Sequence, residues 1–121
     1  MDRTEARERL VKLREEFSGT VDSIRARLEQ SQEESGGEIS LADQHPADAA
    51  TETADRELDT SREAMFASRL RQIDDAMERL EHGGYGTCVV CGKPIPEERL
   101  ALMPDTPYCV QDAQREQSRA S

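Results

Sequence analysis

The sequence predicts a mainly α protein: a long antiparallel coiled-coil hairpin, a small cysteine-bearing module and a short C-terminal helix. Three observations carry this. Two stretches of roughly thirty residues repeat their apolar positions at helical spacing. Gly-containing breaks, Ser35-Gly36-Gly37 and Gly83-Gly84, follow each stretch. All three cysteines, and four of the five prolines, fall beyond Gly84. The expected organisation is a hairpin over residues 1–83, with its tip at about 36–50, and a module over 84–121 that ends in the short helix.

The first helix is expected from about Thr4 to Glu34. Leu10, Leu13, Phe17, Val21, Ile24 and Leu28 recur at steps of three and four, one stripe of a helix, and Arg7, Glu8, Arg14, Glu15, Arg25 and Glu29 flank it. Ser35-Gly36-Gly37 suits a left-handed C-cap. The second helix is expected from Ala47 or Asp48 to Glu81, behind a proline, Pro46, whose missing N–H costs nothing in a first helical turn. Its stripe is Ala50, Ala54, Leu58 and Met65, weak at first, then Phe66, Leu70, Ile73, Met77 and Leu80. Thr60 to Arg62 is its poorest section. Two such helices bury one face each against the other. Pro94, Pro96, Pro104 and Pro107 favour turns and short strands in the module, and Cys109 to about Arg119 suits a terminal helix.

Composition fits that narrow architecture. Only 35% of the residues are apolar and 3% aromatic, with no tryptophan, so a wide globular core is excluded. Net charge is −10, of which the segment Glu29 to Glu63 carries −9. That segment repels duplex nucleic acid, which argues against direct, specific DNA binding. A basic protein groove or a site holding a metal ion suits it better, and a solvated helical face is the plain alternative. No apolar run approaches a membrane span and the N-terminus lacks the form of a signal peptide, so a cytoplasmic protein is expected.

Cys88-Val89-Val90-Cys91 is followed after seventeen residues by Cys109, and Asp112 stands where a fourth cysteine would complete a Cys-x2-Cys pair. That is zinc-ribbon-like spacing with one sulfur replaced by a carboxylate. Three thiolates and Asp112 bring the same formal charge as four thiolates, and the harder oxygen ligand predicts a weaker or more labile site. Gly92 suits a tight knuckle turn that aims backbone N–H groups at sulfur. His82 is an alternative fourth ligand. In a module without metal, Ile95, Leu100, Leu102, Met103 and Tyr108 would hold the fold by packing. Thiol–disulfide cycling is a further reading of Cys-x-x-Cys, although the thioredoxin-like context is missing.

Gly84-Tyr85-Gly86-Thr87-Cys88-Val89-Val90-Cys91-Gly92, then Ile95, Arg99-Leu100, Pro104 and Cys109, resemble the DksA/TraR family of bacterial RNA polymerase regulators. The resemblance covers the second helix and the module closely, and the first helix in type only. Asp43-Gln44-His45-Pro46-Ala47-Asp48-Ala49-Ala50-Thr51-Glu52 is similar to the tip motif of the family's stress-associated branch. A monomer is expected, and the resemblance implies that it inserts its coiled-coil tip into the secondary channel of RNA polymerase and modulates initiation. It also implies zinc in the module and, often, joint action with guanosine tetraphosphate.

The family's tip reads Asp-x-x-Asp-x-Ala; here His45 holds the first position, Asp48 and Ala50 match, and Asp43 is displaced by two residues. His45 serves either as a hydrogen-bonding group towards polymerase or as a helix-capping residue. Asp48 also favours the helix dipole on its own account. Lys93, Arg99 and Arg115 are candidates for a nucleotide phosphate. An adaptor that docks on another protein and a thiol-based redox sensor are the rival readings; no catalytic constellation is apparent.

Overall fold

The computed structural model describes residues 2–37 and 46–120, and among side chains those of residues 2–30 and 52–119. Four helices form: α1 (Arg3–Gly37), α2 (Pro46–His82), α3 (Glu97–Leu102) and α4 (Val110–Ala120). The chain divides into two compact units, residues 1–16 with 70–121 and residues 17–69.

In the first unit the start of α1 runs antiparallel to the end of α2. Asp2 caps α1, its Oδ1 accepting the Glu5 N–H at 2.8 Å. Ala6, Leu10, Ile73 and Ala76 are fully buried between the helices. Arg14 pairs with Asp74 at 2.6 Å, and the Arg3 guanidinium reaches the Glu81 carbonyl at the end of α2. Gly83, with φ at +91°, turns the chain out of α2 in a conformation that L side chains rarely adopt.

In the second unit Val21 and Ile24 are buried, and Phe17 meets Phe66 with ring centroids 5.5 Å apart. The Arg69 guanidinium lies 5.1 Å above the Phe17 ring. Arg25–Glu63 at 2.9 Å and Arg27–Asp59 at 3.0 Å cross between the helices, and their inverse order shows that the helices run antiparallel here too. The α1 stripe is seated as expected. The α2 stripe is corrected: Ala54 is exposed, and Leu58 and Met65 are 50% and 62% exposed. From position 66 onwards the inward face follows Phe66, Leu70, Ile73 and Met77, a helical track that passes through Asp59 and Glu63 rather than through Leu58 and Met65.

The module holds no strand among the described residues. Its extended chain makes a single bridge, Thr87 to Pro94, inside a tight turn. Where turns and strands were expected, α3 forms instead. Pro96 stands at its N-cap, Glu97 and Glu98 occupy the positive first turn, and the Met103 N–H closes its end on the Arg99 carbonyl. No helix among the described residues is long and apolar enough to cross a membrane.

Candidate metal centre

Cys88 and Cys91 sit on the turn after α2. The Cys88 N–H donates to the Lys93 carbonyl at 2.9 Å and the Gly92 N–H to the Cys88 carbonyl at 3.0 Å. Gly92 takes φ +74°, the left-handed geometry a knuckle needs. Cys109 immediately precedes α4, and Asp112 lies one helical step further on, so α4 delivers both ligands from one end. The two ligand segments are joined through the backbone, the Val89 N–H donating to the Pro107 carbonyl at 2.9 Å.

One ligand atom from each of Cys88, Cys91, Cys109 and Asp112 lies within 4.8 Å of every other. Sγ of Cys91 and Cys109 are 3.8 Å apart, which is the edge of a tetrahedron with ~2.3 Å zinc–sulfur bonds. Asp112 Oδ2 accepts from the Cys88 thiol at 3.0 Å and from the Cys109 thiol at 3.1 Å. A thiolate and a carboxylate oxygen on one zinc stand ~3.6 Å apart, so the carboxylate would draw back by about 0.5 Å around the ion. Its second oxygen faces Arg115 at 3.5 Å. The donor set fits zinc in number, type and spacing.

Electrostatics in the cluster are reciprocal. The thiols of Cys88, Cys109 and Cys91 hydrogen-bond the Asp112 carboxylate and hold it down to about 2, against the opposing effect of burial. For Cys91 the Lys93 N–H favours the thiolate, but hydrogen bonding to Asp112, burial and hydrogen bonding with the two neighbouring thiols outweigh it and push the group up to about 11. Burial opposes ionisation of Cys88; backbone N–H groups of Cys91, Cys109 and Val90 overcome it and leave that thiol below its ordinary value. These are the N–H groups expected near sulfur in a knuckle. Metal entry must displace the thiol protons, which couples affinity to pH. His82 is exposed and does not join the cluster.

A small core backs the ligands: Cys88, Ile95 and Leu100 are buried, with Tyr85, Tyr108 and Cys109 packed against them. Leu102, expected among these, is 85% exposed. Arg99, a phosphate candidate by sequence, has a different task. Its Nε donates to the Tyr108 carbonyl at 2.9 Å and its Nη2 faces the Thr106 hydroxyl at 3.4 Å, which clamps the segment leading into Cys109. Tyr85 O–H donates to the Pro104 carbonyl and Gln72 Nε2 to the buried Asp105, tying that segment to the end of α2. Lys93 and Arg115 remain exposed. Sequence reasoning missed this set of fastenings; the one signal it offered was the acidic pair Glu97-Glu98 behind Pro96, the start of a helix.

Of the tip residues, Asp43 and His45 lie outside the described residues. Asp48 and Ala50 fall at the start of α2, with side chains outside the described set.

Residues 83–116 match the family model of the prokaryotic dksA/traR C4-type zinc finger. The chain is 44% identical over 71 residues to the uncharacterized protein YteA of Bacillus subtilis, covering 59% of this chain and 30% of that one. It is 33% identical over 73 residues to the RNA polymerase-binding transcription factor DksA of Caulobacter vibrioides, covering 60% and 51%. It thus spans about half or less of these two curated relatives. The structure of transcription factor DksA2 from Pseudomonas aeruginosa superimposes with a TM-score of 0.75 at 25% identity, covering 98% of this chain and 84% of that one.

Proposed function

The chain belongs to the DksA/TraR family, and on that premise we propose that it is a non-enzymatic regulator of bacterial transcription that binds RNA polymerase. The hairpin over residues 1–83 is the probe, and the zinc-binding module over 84–121 sits at its base. The tip, with Asp43, His45, Asp48 and Ala50, enters the secondary channel and changes initiation without reading promoter sequence.

The observation that carries this reading is the placement of charge. The −9 segment is centred on the connection between α1 and α2, and only −1 falls on the rest of the chain. An acidic excess concentrated in that part of the sequence suits basic channel walls even with Asp59 and Glu63 paired to Arg27 and Arg25, and the neighbourhood of a bound Mg2+ favours carboxylates. The helix dipole at the start of α2 explains one or two acids there, but not their spread over the whole segment.

The test is co-purification with core polymerase, then transcription from a ribosomal promoter with and without the protein, in the presence and absence of guanosine tetraphosphate. Binding together with a change in promoter output is expected. Asp48→Asn is expected to keep binding and lose the effect. Competition with a known secondary-channel factor separates this reading from an adaptor that docks elsewhere, because an adaptor is not displaced.

A further inference from the structure

The outer side of α2 carries a second periodicity. Ala54, Leu58, Ser61, Met65 and Ser68 recur at steps of four, three, four and three, the spacing of a coiled-coil seam. All of them are exposed, Leu58 by 50% and Met65 by 62%, and they lie away from the inward track through Asp59, Glu63 and Phe66. Four residues beyond Ser68 the same stripe reaches Gln72, which is partly buried and donates to Asp105 at 2.8 Å. The open stretch therefore ends at Ser68. One exposed apolar side chain needs no explanation, but two large ones a heptad apart, alternating with small residues, form a patterned surface.

That surface is complementary to itself when reversed. Laid antiparallel on a second copy with Leu58 against Ser61, the stripe also sets Met65 against Ala54, so each large side chain faces a small one. A parallel, in-register pairing stacks large on large and leaves gaps at Ser61. The antiparallel register brings Asp55, which flanks the stripe, against the exposed Arg62 of the other copy, and two-fold symmetry makes that contact twice. Sliding the copies by one heptad instead places Ala54 on Gln72, whose amide is already engaged by Asp105.

We propose that this stripe is a self-association surface through which two copies pair antiparallel along α2. Four half-exposed apolar side chains, set against the entropy of association, give a weak complex, with a Kd on the order of 100 µM. Long-range repulsion between two chains of net charge −10 acts in the same direction. The dilute chain is thus the monomer, and pairing appears on concentration. The inference rests on α2 alone and not on the polymerase reading.

The test is sedimentation velocity of the full, zinc-loaded chain under reducing conditions, from about 5 to about 500 µM. A shift from monomer to dimer mass across that range is expected. Met65→Glu puts a charge in the seam beside Asp55 of the other copy and is expected to weaken pairing at least about tenfold. Asp55→Arg and Arg62→Asp are each expected to lose the dimer, because like charges then face each other twice. An equimolar mixture of these two variants is expected to regain it, since every such contact again joins opposite charges; that recovery also shows that both variants are folded. A wild-type chain that stays monomeric at the highest concentration overturns the proposal and leaves the stripe to another protein or to solvent. A dimer that survives Met65→Glu lies on a different surface and overturns it equally. Pairing unaffected by Asp55→Arg, or a mixture that stays monomeric, refutes the antiparallel register.

Discussion

The same two helices are joined by different chemistry in the two units. Residues 3–16 and 70–82 close on Ala6, Leu10, Ile73 and Ala76, all fully buried. Residues 17–37 and 46–69 bury Val21 and Ile24 from α1, while α2 leaves Leu58 and Met65 in solvent and reaches across with Asp59 and Glu63. Apolar closure is non-directional and is not screened by salt; exposed ion pairs are directional, screened and individually weak. The unit that carries the module thus adds one inter-helix ion pair, Arg14–Asp74, to a fully buried seam, and the unit nearer the acidic connection in sequence is held more by charge.

The comparison breaks most readily at the buried seam. Ile73→Ala is expected to lower stability by about 2–4 kcal/mol in urea unfolding, through lost burial and a residual cavity. Leu58→Ala should stay within about 0.5 kcal/mol because that side chain is already half exposed. Equal costs for the two would mean that the seams do not differ.

Within the first unit, Arg99→Ala removes the bonds to Tyr108 and Thr106. A loss of about 1.5 kcal/mol is expected, because a charged donor is removed while the Tyr108 carbonyl keeps its bond from the Thr106 hydroxyl. Retained stability would show the clamp to be incidental.

Salt sharpens the contrast from the other side. Raising sodium chloride should speed amide exchange in residues 52–65 of α2 more than in residues 70–80, where the Arg14–Asp74 pair is backed by the buried seam. The double variant Arg25→Gln, Arg27→Gln should remove that dependence; a uniform response along α2 would count against a charge-held segment.

The smallest effect is on pH. A hydrogen bond from Arg27 holds the Asp59 carboxyl below its ordinary value, against the opposing effect of desolvation. Its contribution is complete above the unfolded carboxylate pKa of ~3.9 and disappears as pH falls through the lower folded value. A titration of the α1–α2 ion pairs by NMR should show this local weakening on acidification, and Asp59→Asn should flatten it.

Much of this was legible in the chain. The α1 stripe from Leu10 to Leu28 set the helix and its inward face, because one uninterrupted periodicity leaves little choice of register. The spacing Cys88, Cys91, Cys109, Asp112 identified the cluster, including the carboxylate that joins it. The α2 stripe misled between Ala54 and Met65, since apolar residues there fall on a solvent face while acids meet arginines of α1. Which acid pairs across a helix interface is a property of register, invisible to a single-helix pattern. The clamp by Arg99 escaped for a similar reason: its partners lie seven and nine residues away, and folding of α3 is what brings them within reach.

A guanidinium rooted in α3 and bonded to the chain before Cys109 fixes the approach to α4 by bonds that use no metal-donor atom. The direction from which Cys109 and Asp112 meet Cys88 and Cys91 is thus set by a residue outside the donor set.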